Sequence, residues 1–173
     1  VSCDLCTDCG DWRVLSVAGK GHLAEIGRGR GEPEAPGAES TVISVVVPAY
    51  NAAATLSVCL WALGRQILLP DEVIVVDDGS TDESANVVKG HDAHLRQQPH
   101  QGPAAARNLG AQSAKGDLVL FTDADCEPAE DWIAEMVRPF SDPNVIGVKG
   151  AYRTRQHEIV ARLAQCEFEE RYD

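Results

Sequence analysis

Three short apolar runs in this chain each end in a polar cluster, and patterns of helical period separate them. Ile43-Ser44-Val45-Val46-Val47 leads into Pro48-Ala49-Tyr50-Asn51, and Val73-Ile74-Val75-Val76 leads into Asp77-Asp78-Gly79-Ser80-Thr81-Asp82. Leu118-Val119-Leu120-Phe121 leads into Thr122-Asp123-Ala124-Asp125. Continuous β-branched runs of this length suit strands buried on both faces. Strands that alternate with helices specify an α/β fold, a mostly parallel sheet with helices on both sides. Such sheets bind ligands outside the carboxyl ends of their strands, where all three clusters fall.

The spacing predicts strands over 41–47, 73–76, 94–97, 118–122 and 145–148. It predicts helices over about 53–66, 80–89, 104–115, 128–137 and 155–171. Leu56, Leu60 and Leu63 recur on one helical face, and Trp61 is expected to join their packing. Ser80 or Thr81 is a candidate cap for the second helix and Gly90 its stop. Pro103 suits the first turn of the third helix, and Gly116 is read as its end.

The 173 residues and 44% hydrophobic content suffice for one cored domain. A net charge of −12, with basic residues scattered among acids, argues against a nucleic-acid partner. No apolar run reaches the roughly 18–20 residues of a membrane span, and no basic segment followed by an apolar core marks a secretory signal. Residues 19–40 hold six glycines and two prolines. The expected organisation is therefore a flexible segment over 1–40 and a folded domain over 41–173. Position 1 is valine, and the chain is read as a piece of a longer protein. Of six cysteines, Cys3, Cys6 and Cys9 share a metal-like spacing with His22 as the nearest fourth donor, although a frayed tail is the plainer expectation. Cys59 should be a packed thiol, and Cys126 a buried structural one. His91, His94, His100 and His157 show no metal-ligand spacing and are read as surface residues.

Each polar cluster has a chemical reading and a structural one. Asp123 and Asp125 at a strand end can hold a divalent cation, or can be solvated turn residues. Asp77-Asp78-Gly79-Ser80 can read a ring N–H or place a phosphate near a helix start, or can be a turn with a cap. Small residues around Pro103 let a ligand approach closely, and Arg107 one turn in can pair with a phosphate or lie in solvent.

Taken in order, Val45-Val46-Val47-Pro48-Ala49-Tyr50-Asn51, Val75-Val76-Asp77-Asp78-Gly79-Ser80-Thr81-Asp82, Gly102-Pro103-Ala104-Ala105-Ala106-Arg107-Asn108 and Phe121-Thr122-Asp123-Ala124-Asp125 resemble the nucleotide-binding half of a family 2 glycosyltransferase. The resemblance implies a GT-A fold, incomplete at its C-terminus. It also implies an inverting transfer of sugar from a UDP-, GDP- or dTDP-linked donor to a glycan, lipid or other hydroxyl acceptor. Pro48, Tyr50 and Asn51 would line the nucleotide pocket. Asp78, with Asp77 beside it, would bind the base, and Arg107 would contact nucleotide or phosphate. Asp123 would sit near the ribose or donor sugar, and Asp125, with Asp123, would hold Mg2+ or Mn2+. The general base is expected downstream, because Glu167, Glu169 and Glu170 lack the family's context. A donor-binding fragment without turnover is the alternative. The resemblance implies work in the cytoplasm, at the inner face of the membrane where acceptors are lipid-linked. A nucleotidyltransferase would need a glycine-rich basic loop after the first strand, and a phospho-receiver module would carry its acidic pair there. Pro48-Ala49-Tyr50-Asn51-Ala52 is neither.

Overall fold

The computed structural model describes residues 14–18, 22–25 and 41–150. In chain order the elements are β1 (Val14–Ala18), β2 (His22–Glu25), β3 (Ile43–Ala49), α1 (Leu56–Leu63), β4 (Glu72–Asp77), α2 (Ser84–Lys89), β5 (His94–Gln97), α3 (Pro103–Ser113), β6 (Leu118–Phe121), α4 (Trp132–Val137), a 3₁₀ turn (Arg138–Ser141) and β7 (Val145–Gly150). The described residues form two compact units, one of residues 41–141 and one of 14–18 and 22–25 with 142–150.

The larger unit holds a four-stranded sheet in the order β5-β4-β3-β6, every pair parallel. Val45 pairs with Val73 on one side and Leu120 on the other, so β3 is central. Its side chains from Ile43 to Ala49 are all buried, as the continuous apolar run predicts. Val46, Ile74 and Val76 pack with Ala106 of α3, and Leu109 and Val119 close over them. Their strand neighbours Val45, Val47 and Val75 point to the opposite face and are equally buried. Helices α1 and α2 pack together, and the right-handed crossover general to parallel strand–helix–strand units puts both on that second face. Gly110 lets α3 lie close to the sheet, since a Cβ there would sit 2.2 Å from Val46 Cγ1.

Several local expectations are corrected. Leu56, Leu60 and Leu63 are buried, but Trp61 is 55% exposed. It is one position off the buried stripe, and the Arg65 guanidinium covers its ring at 4.4 Å instead. Neither Ser80 nor Thr81 caps α2, which begins at Ser84, because both residues bond to Asn51. Helix α3 ends at Ser113 rather than at Gly116. Gly116 instead lies where a Cβ would meet Ser44 N at 2.7 Å, and its N–H donates to Ser44 Oγ.

Buried Gln66 fastens the far end of α1 to the segment after β6. Its Nε2 donates to Ala129 O at 2.6 Å, and its Oε1 accepts from Ile133 N at 2.9 Å. Ile67 N donates to Glu130 O, and Arg65 pairs with Glu130.

The smaller unit contains an antiparallel sheet, β2-β1-β7. Strand β7 was expected, but β1 and β2 were not. The helix read over 155–171, together with Cys3, Cys6, Cys9, Glu167, Glu169 and Glu170, lies outside the described residues. Among the described residues no helix is long and apolar enough to cross a membrane.

Candidate functional site at the carboxyl ends of the strands

From β3 the chain steps to β4 and then β5 on one side, and then crosses back to place β6 on the other. The crevice at this reversal, outside the carboxyl ends of β3 and β6, is where an open parallel sheet leaves room for a ligand. A cavity of about 480 Å³ lies there. Pro48, Tyr50, Asn51, Asp78, Arg107, Asp123 and Asp125 all line it. Of the residues proposed from sequence, only Asp77 does not. A second cavity, of about 440 Å³, lies between α1 and the amino-terminal ends of β4 and β5, and brings none of these turns together.

The turns after β3 and β4 are stitched into one wall. Asn51 adopts a positive φ of 49°, which asparagine tolerates better than most residues. Its Oδ1 accepts from Thr81 N at 2.8 Å, and its own N–H donates to Ser80 Oγ at 2.9 Å. Ala52 N and Ala53 N donate to Ser84 Oγ and Asp82 Oδ2. Asp77 is buried beneath this wall, accepting from Ser80 N and from Gln97 Nε2.

Asp78 is buried as well, and it organises the approach to α3. Oδ1 accepts from Gln98 Nε2 at 2.6 Å and Gln101 N at 2.9 Å, while Oδ2 accepts from Gly102 N at 2.8 Å. His100 Nδ1 lies 2.9 Å from Oδ2. Burial alone would push this carboxyl up. The bonds from Gln98, Gln101 and Gly102, with the charge of His100, outweigh burial and hold it below the usual carboxylate range. Gly79, at φ 76°, permits the tight turn, because a Cβ there would sit 2.8 Å from His100 N.

His100 is the residue that sequence reasoning missed. Its ring stacks on Tyr50 with centroids 4.1 Å apart, so the two form an aromatic edge to the cavity. The signal available was its place two residues before Gly102-Pro103, at the mouth of the predicted site.

On the opposite wall, the tight turn after β6 gathers Asp123, Asp125 and Cys126, with one donor atom from each within 4.8 Å of the others. The turn is closed by Cys126 N donating to Asp123 O. Arg107 Nη2 pairs with Asp123 Oδ1 at 2.5 Å. Cys126 is half-buried rather than buried, because this turn brings its thiol back to 3.8 Å from Asp125 Oδ1. Burial pushes the Cys126 thiol up, and the neighbouring aspartates add to the effect. Cys59, beneath the turn, is pushed up to about 12 by burial first and then by the charges of Cys126, Asp125 and Asp123. Both are poor nucleophiles, as expected for cysteines without a cationic partner.

An open parallel α/β sheet with an aromatic edge, an arginine and paired carboxylates around its reversal crevice belongs to the class of proteins that take a ligand at the carboxyl ends of their strands. The sequence matches Glycosyl transferase family 2 over residues 44–166, and the chain belongs to that family. It is 33% identical over 117 residues to an uncharacterized glycosyltransferase of Haemophilus influenzae, covering 64% of this chain and 47% of that protein. It is 39% identical over 107 residues to the pre-mycofactocin glycosyltransferase of Mycobacterium tuberculosis, covering 60% of this chain and 22% of that one. Among solved structures, S. aureus TarS residues 1–349 in complex with UDP superposes with a TM-score of 0.51 at 30% identity, covering 57% of this chain and 32% of TarS. The glucosyl-3-phosphoglycerate synthase of Mycobacterium tuberculosis gives 0.51 at 30% identity, covering 58% and 40%. The sheet is that of the GT-A glycosyltransferases. The chain spans less than half the length of each of these relatives.

Proposed function

We propose that this chain forms the donor half of an inverting glycosyltransferase, which moves a sugar from a nucleoside diphosphate to an acceptor hydroxyl. The observation that carries this reading is the pairing of walls across one crevice. Tyr50, His100 and Asp78 form one wall, and Arg107, Asp123 and Asp125 form the other, around a cavity large enough for a nucleotide. TarS structures with UDP and with UDP-GlcNAc support the donor class. We assign residues 41–173 to the partial GT-A domain, 1–40 to an extension preceding it, and the working place to the cytoplasm, at the inner face of the membrane where acceptors are lipid-linked.

The base stacks on the exposed Tyr50 ring, beside Pro48 and the Asn51 turn. Its N–H is accepted by Asp78 Oδ2, and His100 gives up that oxygen because its Nδ1 also lies 3.1 Å from the Asp78 carbonyl. Arg107 takes the diphosphate, and Asp123 the ribose or donor sugar. The two carboxylates fit a hard divalent cation such as Mg2+ or Mn2+, with Asp125 and Asp123 as its ligands and the neighbouring Cys126 thiol outside the set. That cation supplies Lewis-acid stabilisation to the departing diphosphate. With Asp78 committed to the nucleotide base, and Asp123 and Asp125 to the sugar and diphosphate of the donor, the acceptor's general base is assigned outside the described residues.

Calorimetric titration of UDP, GDP and dTDP, with and without Mn2+, tests the reading. One nucleotide should bind about five- to 150-fold more tightly with Mn2+, the usual range of coupling between two ligands, and Asp125→Ala should abolish that gain. Equal binding with and without the metal, in both proteins, would overturn it.

A further inference from the structure

Both partners of the Arg107–Asp123 ion pair have a role in the reading above, and the bond between them takes one oxygen from Asp123 and sets the guanidinium charge beside it. Asp123 Oδ1, a candidate cation ligand, is occupied by the guanidinium. The pair is accessible, with side chains 37% and 42% exposed. We propose that Arg107 is a built-in counter-cation that withholds Asp123 from divalent metal until a diphosphate draws the guanidinium away, so that nucleotide and metal bind cooperatively. This rests on the assignment of the crevice as a nucleotide-sugar site.

The geometry supports an exchange rather than a static bridge. Helix α3 is fixed at its start by Asp78, which accepts from Gln101 N and Gly102 N. It is fixed further along by the close fit of Gly110 on Val46. The Arg107 backbone is therefore anchored while its long side chain remains free to swing at the cavity mouth. Asp123 and Asp125 place like charges within 4.8 Å of each other, and the guanidinium offsets that repulsion when no metal does. A dication competes for the same carboxylate, and the guanidinium charge beside it opposes its approach. A diphosphate offers Arg107 bidentate acceptors of higher charge, so its arrival frees Asp123. Linkage makes the effect reciprocal, since whatever UDP does to Mn2+ affinity, Mn2+ does to UDP affinity.

The test is Mn2+ binding by the full chain without nucleotide, followed through the spectrum of free Mn2+, for wild type, Arg107→Gln and Asp125→Ala. Calorimetry of UDP with and without Mn2+ on the same proteins completes the cycle. Arg107→Gln should bind Mn2+ alone about two- to fivefold more tightly than wild type, the scale of a part-exposed ion pair. It should bind UDP more weakly, and the mutual enhancement of UDP and Mn2+ should shrink. A gain in metal affinity is a result that loosened folding cannot produce. If wild type shows Mn2+-enhanced UDP binding but Arg107→Gln gains nothing toward Mn2+ alone, the counter-cation role is refuted and the donor site stands. If wild type shows no metal enhancement and Asp125→Ala matches it, both fall.

Discussion

Replacing Asp78 by alanine should cost the larger unit on the order of 3 kcal/mol, because two backbone N–H groups, Gln101 and Gly102, lose a charged acceptor. Gln98 Nε2 and His100 Nδ1 are stranded with them. Asn is no remedy, since its amide would turn a donor toward other donors, and Asp78→Asn should approach the alanine variant in urea midpoint. The pH dependence carries a separate signature. The Asp78 carboxyl is held below its usual range in the folded chain, so the unfolded chain takes up its proton first as pH falls. The stabilisation is present in full above the unfolded value of about 4, and is lost as pH drops through the folded one. Urea unfolding from pH 7 downward should show a smaller acid-induced loss in Asp78→Asn than in wild type. Identical midpoints at pH 7 would refute the structural role.

Gly110→Leu should be comparably damaging for a steric reason. The added Cβ alone would lie 2.2 Å from Val46 Cγ1 and 3.2 Å from Val76 Cγ2. Both valines are fully buried on central strands, so neither has space to yield. Removing a glycine from a helix gains about 1 kcal/mol, which overpacking of about 3 kcal/mol exceeds. Relief requires α3 to lift off the sheet, and Arg107, three residues earlier, lifts with it. Gly110→Ala should show a smaller loss of the same sign in urea unfolding, and leucine should also weaken UDP binding. A stabilised alanine variant would show that the close approach is not strained.

The parallel sheet was legible because its strands are buried on both faces, and burial on both faces leaves an uninterrupted apolar run such as Val45-Val46-Val47. Helix ends were less legible. Ser80 and Thr81 look like caps, but a hydroxyl bonds to whatever donor or acceptor the fold brings near, and here that is Asn51, twenty-nine and thirty positions away. The acidic pair and Arg107 could be named from sequence, whereas their ion pair depends on α3 crossing behind the sheet. His100 was hidden for a similar reason, since its partners Tyr50 and Asp78 reach it only through the register of β4 on β5. Strands β1 and β2 were concealed by glycine-rich surroundings, although Val14-Leu15-Ser16-Val17-Ala18, followed by Gly19-Lys20-Gly21, has the composition of a strand entering a turn.

The central position of β3 also bears on how the crevice comes into being. Ser44 meets Glu72 and Ile74 meets His94 over shorter stretches of chain, whereas Ile43 meets Leu118 only after α1, β4, α2, β5 and α3 have intervened. Closing the longer loop costs more chain entropy, so the pairing of β3 with β6 is the costlier one to form and the wall bearing Asp123 depends on it. During synthesis, the stretch through β5 emerges before His100, Gln101 and Gly102, the residues that hold Asp78 and complete the aromatic edge. The acidic turn is then the last piece delivered, and a nucleotide encountering the chain before that moment meets a surface without its second side.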